Sequence, residues 1–168
     1  MICKLTDSND CTCGPTQWGP GVTHETDGSG ELCGPGWLHY YSDPLIAVFH
    51  NPIHSDFDLS TAHLWEVAAA GEMKYDNGMK AGCTRLTTLR RIETPPVTIA
   101  QRVAYGILCA RGVCHDAAWG KWAERWLDGT DRSARAAAEA WEAAGAAAWA
   151  AAWEIDLITI AKKAMEIK

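Results

Sequence analysis

His63-Leu64-Trp65-Glu66-Val67-Ala68-Ala69-Ala70-Gly71-Glu72 and, after a turn at Asp76-Asn77-Gly78, Ala81-Gly82-Cys83-Thr84-Arg85-Leu86-Thr87-Thr88-Leu89-Arg90-Arg91-Ile92 form the stretch that decides the fold. Asn-Gly favours the positive φ angles of a tight hairpin turn, so the two runs read as antiparallel strands. Cys83, Leu86 and Leu89 supply apolar positions in the second run, with Arg85, Thr87 and Thr88 between them. Upstream, Ile2–Thr6, Gln17–Thr26 and Trp37–Tyr41 read as further extended segments. Between them Ser42-Asp43-Pro44 opens a short helix that Pro52 ends, because Pro suits the first helical position and disrupts a later one.

Glu93-Thr94-Pro95-Pro96 punctuates the chain, and Thr98 with Gln101 forms a capping box for a helix running to about Cys114. Ala117–Leu127 reads as another helix, with Trp119, Trp122 and Trp126 on one face. From about Ser133 the sequence becomes Ala- and Trp-rich. Trp149, Trp153, Leu157, Ile160, Ala164 and Ile167 follow one another at steps of three or four, the spacing of a bundle seam. A continuous helix there would be about 50 Å long and predicts self-association, with folding back on its own domain as the alternative. The expectation is an α+β protein: a small antiparallel β-sheet domain with a few helices over 1–130, then a long C-terminal α-helix over 131–168.

The chain has 168 residues, enough for one well-formed core. Its net charge of −6 falls wholly before Arg132, since five bases balance five acids from there on. An acidic domain without a basic stripe is a poor match for a nucleic-acid polymer, although a small anion needs only a few local donors. Seven cysteines and no recognisable secretory signal predict a reducing, cytoplasmic setting. Glu142, Glu154 and Asp156 interrupt the apolar tail, which predicts no membrane span.

Candidate binding residues concentrate between Trp18 and His54. Trp18 and Trp37 offer rings to stack on a base, while His24, His39, Tyr41 and Asn51 offer donors for ribose or phosphate oxygens. Each also has a structural reading, as core aromatic or satisfied polar residue. His50 and His54 are four apart, but Pro52 between them argues against a helical metal site. Neither a nucleophile elbow nor a phosphate loop is present, so no catalytic residue, metal or cofactor is assigned.

The run Glu31-Leu32-Cys33-Gly34-Pro35-Gly36-Trp37-Leu38-His39, followed by Ser42-Asp43-Pro44 and later by Leu64-Trp65-Glu66-Val67, resembles an uncharacterised bacteriophage-associated family. The Ala/Trp-rich tail is similar to tails on such phage proteins. The glycine, aromatic strand and Ser-Asp-Pro segment is also similar to part of ADP-ribosyltransferase-like domains, where it lines an NAD pocket. That second resemblance implies that His39 and Tyr41 face a ligand, and Glu66 or Glu72 would have to supply the catalytic glutamate. The leading expectation is therefore a phage protein that binds and sequesters a small NAD-derived or cyclic nucleotide immune signal, in the host cytoplasm if viral. An ADP-ribosyltransferase-like or NAD-cleaving enzyme and a protein–protein interaction module are the alternatives.

Overall fold

The structure is a computed structural model and describes residues 1–12, 14, 16–51, 53–112, 114, 116–133 and 155–168. Two compact units divide at the Pro95-Pro96 punctuation, Met1–Pro96 and Val97–Lys168. This boundary lies well before the one at 130 expected from the tail composition, because two amphipathic helices group with the C-terminal residues. The architecture is α+β, with antiparallel sheets and several helices.

The first unit is built on a hairpin of β6 (His63–Asp76) and β7 (Lys80–Ile92). Asn77 and Gly78 take φ values of 40° and 84° at its turn, and the Met79 amide donates to the Asp76 carbonyl at 2.7 Å. β6 extends past the Glu72 expected from sequence, its register adjusted by irregularities at Glu66/Val67 and Ala70/Met73. β1 (Cys3–Thr6) pairs with the start of β6. The opposite edge of β7 carries two short strands in succession. β4 (Thr23–Glu25) lies on Arg85–Thr87, and β5 (Leu38–Tyr40) on Ala81–Cys83. Cys3 and Tyr41 then exchange amide–carbonyl bonds of 2.9 and 2.7 Å, joining β1 to the end of β5 and closing the ring of paired strands. A separate ribbon pairs β2 (Cys11–Thr12) with β3 (Thr16–Gln17), and the extended segment read over Gln17–Thr26, interrupted at Gly19-Pro20-Gly21, is divided between β3 and β4.

Trp18, Tyr40, Trp65, Val67, Ala81, Cys83 and Leu86 form the core of this unit. Helix α1 (Pro44–Phe49) adds Ile46, Ala47 and Val48, all fully buried, and starts where Asp43 Oδ1 accepts the Leu45 amide at 2.8 Å. Asp10 clasps the strand ends together. Its φ of 60° turns the carboxylate toward β6 and β7, where it accepts His63 Nδ1 at 2.8 Å, Trp65 Nε1 at 3.0 Å and Arg91 Nη2 at 2.5 Å. Its carbonyl accepts the Trp18 amide at 2.8 Å. Burial alone would raise the Asp10 pKa, but bonds from Arg91, His63 and Trp65 outweigh it and hold the group below the usual carboxylate value.

In the second unit, the capping box read at Thr98 and Gln101 opens α2 (Ile99–Arg111), and α3 (Ala117–Leu127) spans the expected residues. The last helix, α4 (Leu157–Met165), departs from expectation. Asp156 adopts ψ 87° and accepts the Thr159 amide and hydroxyl at 3.1 and 2.6 Å, so a helix begins there instead of running through. A single long helix is therefore not seen in the described residues. Leu157 and Ala164 are buried against α2 within the chain, Ile160 and Ile167 are half-buried, and Trp149 and Trp153 lie outside the described residues. None of the helices among the described residues is long and apolar enough to cross a membrane.

The clasp carries a stability prediction. Asp10→Ala strands the donors of His63 and Trp65 and should cost about 2 kcal/mol, read as a lower urea midpoint at unchanged slope. Because the folded pKa of Asp10 lies below its unfolded value, its contribution is complete above the unfolded pKa and disappears as pH falls through the folded one. Wild type and variant should accordingly converge in strong acid.

Candidate functional site

The first unit contains a cavity of about 690 Å³. One wall comes from β1 and the β2–β3 ribbon, with Lys4, Thr12 and Thr16, and continues into Trp18. β4 supplies His24 and Glu25, and the following loop Thr26. β5 with its flanking residues supplies Trp37, His39 and Tyr41. The segment from His54 to Phe57 and Lys80 at the start of β7 complete it.

The loop between β4 and β5 can lie over the sheet because Gly82, opposite His39 in the strand register, has no side chain. A Cβ there would come within 2.4 Å of Leu32 Cδ1 and 3.2 Å of Trp37 Cβ. Trp37 is thereby pressed on the sheet, with Nε1 donating to the Gly30 carbonyl at 3.2 Å and Lys74 Nζ 4.6 Å from its ring centroid. Trp18 is also a wall. Its Nε1 donates to Thr12 Oγ1 at 2.8 Å, His24 meets it edge-on at 4.6 Å, and Lys4 Nζ lies 4.7 Å from the ring centroid. Both indoles are at most 5% exposed, so they shape the cavity more than they offer open stacking faces.

Five of the six residues expected to bind ligand line this one space: Trp18, His24, Trp37, His39 and Tyr41. Asn51 does not. It is 5% exposed, and its amide donates to the Phe57 carbonyl while its Oδ1 accepts the Phe57 amide and Ser55 Oγ. Asn51 therefore folds the 51–57 loop that presents His54 to the cavity. Lys4 and Lys80 were not legible as site residues. Lys4, flanked by Cys3 and Leu5, looks like an outward strand position, yet it is 7% exposed and donates to the His39 carbonyl at 2.9 Å. Lys80 follows a turn and reads as a solvent charge; its Nζ donates to Cys33 Sγ at 3.1 Å.

Burial favours the neutral form of His39, His50 and His54. His24 Nε2 donates to the Gln17 carbonyl at 2.8 Å, and His39 Nε2 to that of Leu32. Burial lowers the pKa of His39. Burial also takes His50 down to about 4. His54 falls to about 3, through burial and then the influence of His50, Lys80 and His39. The His50 and His54 rings meet edge-to-face at 5.2 Å, and Tyr41 stacks on His54 at 5.9 Å. Two buried polar atoms at the cavity, His54 Nδ1 and Thr26 Oγ1, have no hydrogen-bond partner among the described residues.

Glu66 and Glu72, the glutamates required by a transferase reading, do not line the cavity, and Glu66 is paired with Arg90 Nε at 2.7 Å. Glu25 does line it, tied to Arg85 Nε at 2.7 Å. Among the described residues no group of three His, Cys, Asp or Glu side chains could hold a metal ion.

Neutral buried histidines set the acid response. Since the folded pKa values of His50 and His54 lie below the unfolded value near 6.5, the unfolded chain binds protons first and the fold loses stability as pH falls below that value. In NMR titrations of the ligand-free chain, both rings should keep neutral shifts down to about pH 5; imidazolium shifts at pH 6 would contradict the assigned burial.

No curated protein matches the sequence, and no solved structure matches the fold. The family described as a domain of unknown function, DUF7666, matches residues 2–100, which include almost all of the first unit and its cavity. The chain thus belongs to the DUF7666 family.

Proposed function

We propose that the first unit binds a small anionic ligand of nucleotide type and sequesters it without chemical change. The observation that carries this reading is the composition of the cavity wall. The first unit has six Lys and Arg residues against twelve Asp and Glu, yet two of the six, Lys4 and Lys80, line the cavity. Of the two acidic residues there, Glu25 is engaged by Arg85 and Asp56 lies in the loop beside His54. A volume of about 690 Å³ suits a ligand of nucleotide size. The indole, phenol and imidazole walls suit a base and ribose, and the unpartnered polar atoms of His54 and Thr26 are groups a ligand would satisfy.

An NAD-derived or cyclic nucleotide immune signal has this chemistry, and capture of one would let a phage protein blunt host defence in the host cytoplasm. Absence of Glu66 and Glu72 from the cavity wall favours binding over ADP-ribosyl transfer. Isothermal titration of the full chain against cyclic ADP-ribose isomers and cyclic oligonucleotides tests the reading. Saturable heat with at least one of them is expected, weakened about tenfold or more by Lys4→Gln through loss of a charge-assisted contact. No heat with any member of the panel would contradict the proposal.

A further inference from the structure

We propose that the end of the cavity formed by Lys80, His54 and His39 is a phosphate subsite that takes up a proton from solvent as the phosphate group arrives. The inference rests on the reading of the cavity as a nucleotide-type site and assigns the part of the ligand that seats there.

Three observations support it. Lys80 takes part in no ion pair among the described residues, and its Nζ contact there is a thiol, a weak acceptor that a phosphate oxygen readily replaces. His54 Nδ1 is buried at the same cavity and makes no hydrogen bond among the described residues. The charged and titratable groups facing His54 are His50 from the end of α1, His39 and Tyr41 from β5, and Lys80 from β7, with Asp56 beside it in its own segment and also on the cavity wall. Of these, His50, Lys80 and His39 act on its titration and, after burial itself, disfavour the imidazolium in the free protein.

The negative charge of a phosphate group reverses that balance. It supplies the opposite charge within the buried cluster, so an imidazole that stays neutral alone gains a proton and donates a charge-assisted bond. The proton comes from water or buffer, and no bond in the ligand breaks. Phosphorylated ligands are then favoured over nucleosides of the same base, and their affinity rises as pH falls.

The test uses the full chain with histidine rings labelled with nitrogen-15, titrated near pH 6 with inorganic pyrophosphate, adenosine and cyclic ADP-ribose. Pyrophosphate should move the His54 ring to the imidazolium pattern, with uptake of about one proton per ligand read from titration in buffers of different ionisation enthalpy. Adenosine should leave that ring neutral. Lys80→Gln should weaken pyrophosphate about tenfold or more, and His54→Gln should abolish proton uptake, with unchanged amide spectra of β6 and β7 showing that each variant folds. A neutral His54 under saturating cyclic ADP-ribose, or equal pyrophosphate affinity in wild type and Lys80→Gln, would overturn the subsite while leaving nucleotide binding intact. Charging of His54 by pyrophosphate without binding of cyclic ADP-ribose would retain the phosphate subsite and remove the nucleotide reading for that ligand.

Discussion

The pairing of β7 on both edges is the constraint on which the first unit depends. β6 occupies one edge, and β5 and β4 must share the other within a single strand. His39 lies opposite Gly82 and His24 opposite Leu86, so their partners are four positions apart along β7, about 13 Å at the usual rise per strand residue. The chain between β4 and β5 cannot remain in the sheet and has to fold across it. The cavity follows from that detour, since Trp37 is pressed onto Gly82 and the loop forms a wall above the strands. The Asp10 clasp fixes the far ends of β6 and β7, and the Cys3–Tyr41 bridge fixes Tyr41 beside β1.

This geometry places two lysines and several aromatic rings, beside Glu25 and Asp56, in the cavity wall of an acidic domain. Long-range repulsion from the net negative surface opposes an approaching anion, but screening limits it to about 8 Å at physiological ionic strength. Inside the cavity Lys4 and Lys80 are the cations nearest a bound anion. The neutral histidines hold this arrangement at low electrostatic cost in the free protein, because uncharged imidazoles neither repel the lysines strongly nor demand counter-ions. They also leave the site able to respond to charge, which a permanently ionised guanidinium could not do.

The legible parts of the fold were those encoded locally. Asn77-Gly78 fixes its turn by backbone conformation, Asp43-Pro44 starts α1, and Thr98 with Gln101 caps α2 through partners within three residues. The double use of β7 was not legible, because its pairings join residues some 40 to 60 positions apart without a local signal. Residue type drew attention to His39 and Tyr41, which line the cavity, and also to Asn51, whose side chain bonds the backbone of Phe57. In the tail, apolar spacing carried the reading across Asp156, although Asp three residues before Thr159 is itself a helix-start signal. The cavity lysines were hidden because burial of Lys4 arises only when β1, β5 and Trp18 come together.

Equilibrium dialysis of the full chain against a metabolite extract from phage-infected cells, with mass spectrometry of what heating releases from the protein, tests the central claim most directly. The account predicts retention of an intact, phosphorylated nucleotide-type molecule at up to one per chain. Retention of nothing, or recovery only of a cleaved product of the molecule supplied, would contradict it.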